Sequence, residues 1–178
     1  MEKTTLRLAL PSDPRWVNIA EKNIKDILVD HAFCEQKAAS SCISLILQYP
    51  EKTALVDRLS PVVAEEWSHF ERVIALLRKR GYALGFPRKD IYVSELMTVL
   101  KKGGSREQQL VEKLLMNALI EARSAERFKL LSQHLTDPEL TSFYHELMIS
   151  EAGHYRNFIE LAKVYWYPAQ VGMSWQEV

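Results

Sequence analysis

Four glutamates fall inside the apolar helical stripes of this chain, one on each of four long predicted helices: Glu35, Glu66, Glu121 and Glu151. An unpaired buried carboxylate costs several kcal/mol or takes up a proton. Four of them turned toward one bundle axis require compensating positive charge. Whatever this chain folds into must therefore bring cations to its core.

The helices are read from their punctuation. Asp13-Pro14 fits an N-cap followed by proline at the first helical position. Trp16, Ile19, Ile24, Leu28, Ala32, Ala39, Cys42 and Ile46 then recur at helical spacing. Tyr49-Pro50 ends the run, because a residue before proline avoids helical dihedrals. This predicts a first helix over 14–49. Val56, Leu59, Val63, Phe70, Val73 and Leu77 predict a second over 51–80, stopped by the basic turn Arg78-Lys79-Arg80 and Gly81. A capping box, Ser105-x-x-Gln108, opens a third over 105–135. Asp137-Pro138 opens a fourth over 137–166. Short joints make the first and second helices antiparallel neighbours, and likewise the third and fourth. Residues 81–104 form a longer crossover with a short helix near 90–100. The expected fold is all-α, a ferritin-like four-helix bundle of two hairpins in a single domain over 1–178. The tail from Tyr167 to Val178 is expected to be non-helical and packed on the bundle through Trp175.

Composition agrees. Hydrophobic residues make up 47% and charged residues 26% of 178, which are globular values. The 23 basic and 23 acidic residues cancel, removing the signature of a general nucleic-acid binder. Arg78-Lys79-Arg80, Arg88-Lys89 and Lys101-Lys102 remain as either one local basic rim or a solvated charged surface. No apolar run approaches the roughly 20 residues that span a bilayer, and Met1-Glu-Lys-Thr-Thr-Leu-Arg lacks an apolar signal core. A soluble cytoplasmic protein is expected. Cys34 and Cys42 lie about 12 Å apart along one helix, too far for a disulfide, and read as small core residues.

Two of the glutamates belong to Glu66-x-x-His69 and Glu151-x-x-His154. Three residues advance about 300° and 4.5 Å, so each pair shares a helix face and can offer one ion both a carboxylate and an imidazole. Two such motifs plus two lone glutamates form the ligand set of ferritin-like di-iron or di-manganese carboxylate proteins. The interval from Glu35 to Glu66 is 31 residues and that from Glu121 to Glu151 is 30, as a pseudo-twofold arrangement requires. Glu126 is the rival on the third helix, but it breaks that interval and lies about 140° around from Glu121. With 17 Glu and 5 His in the chain, about half of one Glu-x-x-His arises by chance. One motif is weak; the set is not.

His31 shares the face of Glu35 and reads as an outer partner or a core histidine. Tyr144, seven residues before Glu151, points to the same interior or simply fills the core. Asp30, Glu65 and Glu126 are candidate hydrogen-bond partners for the imidazoles. His134 reads as a helix-dipole partner and His145 as surface. Carboxylate-rich ligation suits iron or manganese rather than zinc, and the ligand types serve either metal. The expected chemistry is reductive activation of O2 and hydroxylation of a C–H bond. The electrons would come from a partner such as a ferredoxin or reductase.

The segments 30–40 (DHAFCEQKAAS), 65–70 (EEWSHF), 79–85 (KRGYALG), 120–128 (IEARSAERF) and 151–155 (EAGHY) resemble the tRNA isopentenyladenosine hydroxylases, as does Asp13-Pro-Arg-Trp-Val17. The resemblance runs from about residue 8 to 167. It implies a non-haem di-iron monooxygenase that hydroxylates the isopentenyl group of 2-methylthio-N6-isopentenyladenosine beside the tRNA anticodon. It also implies Glu35, Glu66, His69, Glu121, Glu151 and His154 as iron ligands and catalytic residues. Arg123 and Arg127 lie in its most specific motif and read as substrate contacts or as salt bridges on the bundle. The target base would have to leave the anticodon stack. Three alternatives stay open: a di-iron hydroxylase or oxidase of a small molecule, an iron-oxidising storage protein, and a metal-free helical module. A monomer or dimer fits an enzyme; a store needs a many-subunit shell.

Overall fold

The computed structural model describes residue 6 and residues 8–87, 91–99 and 103–166. Among the described residues six helices appear in order: α1 (Trp16–Lys22), α2 (Ile24–Gln48), α3 (Thr53–Lys79), α4 (Ile91–Val99), α5 (Arg106–His134) and α6 (Pro138–Tyr165). There is no strand among the described residues. α2 packs along α3, α5 packs along α6, and α3 meets α6. α2 and α5 are joined by Ser41 Oγ donating to Asn117 Oδ1 at 2.9 Å. The result is a four-helix bundle of two hairpins, with α4 in the crossover. The tail from Tyr167, Arg88-Lys89 and Lys101-Lys102 lie outside the described residues.

One expected element is divided. The helix read as 14–49 breaks at Asn23, whose φ and ψ are −131° and 38°. Asn23 Nδ2 donates to the Ile19 carbonyl at 2.8 Å. A short amide side chain that bonds the backbone one turn back competes with helix continuation. The break alters the phase of α1. Val17 and Ala20 face inward, and Ile19, placed in the stripe by periodicity, is 62% exposed.

α1 starts at Trp16 without the side-chain cap expected from Asp13, whereas three other boundaries follow their signals. Gly81, at φ 73°, ends α3 in the left-handed region, and Tyr82 N returns to the Leu77 carbonyl at 2.9 Å. Ser105 and Gln108 complete the capping box of α5. Asp137 Oδ1 accepts from Glu139 N at 2.9 Å and Leu140 N at 3.2 Å, capping α6. The same carboxylate pairs with Arg80 at 2.7 Å, tying the end of α3 to the start of α6. Asp137→Ala removes the cap and this tie together. It should destabilise the bundle by about 1–2 kcal/mol, read as a lower urea midpoint at unchanged slope.

The core is in two parts. One apolar cluster contains Leu28 and Ala32, Val73 and Leu77, Phe128 and Leu131, and Tyr144 and Leu147. The other contains Cys42 and Leu45, Leu55 and Leu59, Leu114 and Ala118, and Phe158 and Leu161. Every long helix contributes to both. Between them, at residues 35, 66–69, 121 and 151–154, lies a buried layer of carboxylates and imidazoles.

Candidate metal centre

Each long helix places a glutamate in this layer, and α3 and α6 each add a histidine one turn on. All six side chains are buried, none more than 6% exposed. Their donor atoms form two overlapping groups. Glu35, Glu66, His69 and Glu151 make one, and Glu66, Glu121, Glu151 and His154 the other. Within each group the donor atoms lie within 4.8 Å of one another. His69 Nδ1 is 3.4 Å from Glu35 Oε2 and 3.8 Å from both Glu66 Oε2 and Glu151 Oε1. His154 Nδ1 is 2.7 Å from Glu66 Oε1 and 3.9 Å from Glu151 Oε1. Glu66 and Glu151 face both groups.

The electrostatics are those of crowded acids in a dry layer. Burial and the nearby Glu121 charge push Glu66 up to about 8. Burial, then the charges of Glu121 and Glu66, raises Glu151 well above the ordinary range, and burial raises Glu121. Burial opposes charge on both imidazoles, but neighbouring carboxylates outweigh it. Glu35 and Glu66 lift His69 to about 9, and Glu66 and Glu121 lift His154 to about 9. The layer thus holds protons where the sequence demanded positive charge.

Divalent ions fit the same place. Both oxygens of Glu66, Glu151 Oε1, His69 Nδ1 and His154 Nδ1 are buried without a hydrogen-bond partner. Most of the approaches among them are longer than a hydrogen bond, at 3.8–3.9 Å. Buried lone pairs left in that state are costly. Ions would satisfy them, and four carboxylate charges balance two divalent cations. Oxygen-rich ligation with one nitrogen per position is iron or manganese chemistry.

Outer partners are resolved. His31 Nε2 lies 2.5 Å from Glu35 Oε1. Burial works against the Glu35 carboxylate, but the charge and hydrogen bond of His31 hold it below the usual carboxylate range. Tyr144 is fully buried, stacks on the His31 ring with centroids 5.5 Å apart, and leaves its hydroxyl without a hydrogen-bond partner. Of the three carboxylates offered as imidazole partners, Glu65 takes the role, its Oε2 lying 2.8 Å from His154 Nε2.

Other expectations are redirected. Glu126, an expected partner of the centre, is buried but faces the segment before α1. It accepts from Ser12 N at 3.0 Å and Ser12 Oγ at 2.8 Å. Arg123 Nη1 donates to Glu126 Oε2 at 2.5 Å and to the Leu10 carbonyl at 3.1 Å. The Arg127 guanidinium lies over the Trp16 ring, 5.4 Å from its centroid. In this structure both arginines tie the chain's own first segment to α5. The basic turn at the end of α3 is also partly neutralised. Lys79 pairs with Glu139 at 2.7 Å, and Arg80 with Asp137 and Glu139. Sequence reasoning passed over Asn117, buried one turn before Glu121. Its signal was its offset, the same four residues that separate His31 from Glu35.

The family model described as "tRNA-(MS[2]IO[6]A)-hydroxylase (MiaE)" matches residues 1–177. The chain belongs to the MiaE family. Among curated MiaE relatives, the tRNA 2-(methylsulfanyl)-N(6)-isopentenyladenosine(37) hydroxylase of Pseudomonas putida is 39% identical, over 89% of this chain and 76% of that one. The protein of the same name from Salmonella typhimurium is 28% identical, over 88% of this chain and 75% of that one. A solved structure, "Protein 43 with aldehyde deformylating oxygenase activity from Synechococcus", superposes with a TM-score of 0.86 at 37% identity. It covers 91% of this chain, and the match spans 79% of that one. This MiaE-family chain therefore has the ferritin-like fold. No helix among its described residues is long and apolar enough to cross a membrane.

Proposed function

We propose that this MiaE-family chain hydroxylates the isopentenyl group of 2-methylthio-N6-isopentenyladenosine in tRNA, using O2 and a pair of iron ions. The observation that carries the reading is the convergence of four carboxylates and two imidazoles in a sealed layer between two apolar clusters. Glu35, Glu66, His69 and Glu151 would hold one ion. Glu66, Glu121, Glu151 and His154 would hold the other. Such a pair, when bound and reduced, supplies the electrons and Lewis acidity that let O2 attack an unactivated C–H bond.

The protein's own part is positional. Glu65 bonds His154 Nε2 and so turns the Nδ1 lone pair inward. His31 holds one oxygen of Glu35 and leaves the other facing the interior. The apolar clusters on both sides keep water out. The base must unstack from the anticodon loop to deliver that chain. A ferredoxin or reductase would supply electrons, in the cytoplasm where tRNA is found.

The test uses purified chain loaded with Fe(II), a reductant, O2 and tRNA carrying the unhydroxylated base. Mass spectrometry of the digested nucleosides should show one added oxygen on the isopentenyl base. An iron-loaded chain that consumes O2 and leaves that base unchanged overturns the tRNA reading. The activity named for the Synechococcus protein favours a second reading, a small aldehyde oxidised at the same centre. Turnover of an aldehyde in parallel, with no change in the tRNA, would select it.

A further inference from the structure

We infer that the two ion positions are inequivalent because different outer residues anchor them: His31 serves the position that contains Glu35, and Glu65 serves the one that contains His154. The inference rests on the di-metal reading and adds to it a division of labour.

The two hairpins are pseudo-equivalent, so each anchor has a counterpart to compare. Glu35 matches Glu121, and four residues earlier His31 matches Asn117. His31 is buried and its Nε2 reaches Glu35 Oε1 at 2.5 Å. Its ring is caged by Phe128, Phe143 and Tyr144, with centroids 4.7, 5.9 and 5.5 Å away. Asn117 is equally buried but turns away. Its Nδ2 donates to the Lys113 carbonyl at 2.8 Å, and its Oδ1 accepts from Ser41. Glu121 therefore has no copy of the His31 bond.

The second anchor breaks the symmetry the other way. Glu65 precedes Glu66 and reaches His154 Nε2 at 2.8 Å. The residue before Glu151 is Ser150, which has no carboxylate to offer His69. One position thus has a fixed carboxylate, the other a fixed imidazole. Fixing Glu35 presents a single oxygen to its ion, while a carboxylate on an imidazole sets the tautomer and raises ligand basicity. Outer partners of this kind typically change metal affinity 10–100-fold.

The experiment is anaerobic titration of the metal-free full chain with Co(II), followed by calorimetry and by the cobalt absorption bands, then repeated with Fe(II). The native chain should bind two ions in two resolved steps. His31→Phe fills the aromatic cage without the bond and should weaken one step about 10–100-fold. Glu65→Ala, at a side chain 56% exposed, should weaken the other step. His31→Gln, which restores a donor, should recover part of the loss, a rescue that mere packing would not give. Asn117→Ala should leave both steps in place. The inference is overturned if the native ions bind in one unresolved step, if His31→Phe and Glu65→Ala weaken the same step, or if Gln is no better than Phe at position 31. If His31→Phe loses its helical circular dichroism, the Glu65→Ala titration decides alone: loss confined to one step upholds the inference, and loss at both or neither overturns it. A native chain that binds no ion at all instead overturns the di-metal reading.

Discussion

Glu151→Ala should remove both ions and the hydroxylase activity while leaving the helical circular dichroism intact, whereas Glu121→Ala should remove one ion. The difference follows from the overlap of the two donor groups. Glu66 and Glu151 face both positions, and Glu35 and Glu121 face one each. Losing a shared carboxylate takes a ligand from each ion and leaves a charge imbalance between them. Affinity should fall by more than the roughly 100-fold typical of an outer-partner change. Metal analysis after loading with Fe(II) reads the stoichiometry, and the nucleoside assay reads the activity. The same side chain destabilises the metal-free protein. Glu151→Leu should therefore raise the stability of the chelator-treated chain by about 1–3 kcal/mol, because it exchanges a buried acid, one oxygen of which has no hydrogen-bond partner, for a hydrocarbon. A chain that gains folding stability and loses its ions would separate the two roles cleanly. Full iron occupancy in Glu151→Ala would show that this carboxylate is no ligand.

Metal removal should also give the protein a steep pH dependence. His69 and His154 rise from their ordinary 6.5 to about 9 in the folded chain, and Glu66 rises from 4.5 to about 8. The folded state therefore binds these protons more tightly than the unfolded state. For the histidines the resulting stability is complete below pH 6.5 and is lost as pH climbs through 9. For Glu66 it is complete below pH 4.5 and lost through 8. All three act in one direction. Glu35 acts in the other, and its contribution is lost only below the usual carboxylate range. Between pH 6.5 and 9 the chelator-treated protein should lose on the order of a few kcal/mol, seen as a falling Tm. The ion-loaded protein should change far less, since the ions replace the protons and are bound only by the folded state. A flat Tm in the metal-free protein over that interval would contradict the placement of these imidazoles among the carboxylates.

Much of this was legible before any coordinates, for a physical reason. A carboxylate on an apolar stripe is an anomaly that solvation cannot explain, so Glu35, Glu66, Glu121 and Glu151 identified the interior layer by being out of place. Caps and stops act locally, and Ser105, Asp137 and Gly81 therefore marked their boundaries well. What escaped depended on contacts between distant segments. The sequence offered three carboxylates for the imidazoles, and only the approach of α3 to α6 selects Glu65. Glu126 and Arg123 look functional in a motif, yet the segment around Ser12 occupies both. The Asn23 break hid because the apolar spacing continues on either side of it, and an asparagine bonding backward leaves no mark on periodicity.

The division of the core has a consequence for how the enzyme is supplied. Hydrocarbon cements the four long helices at both ends, and the ionisable seam lies only at mid-length. The polypeptide should thus be able to finish folding before any metal ion reaches it, and the chelator-treated chain should keep its helical circular dichroism.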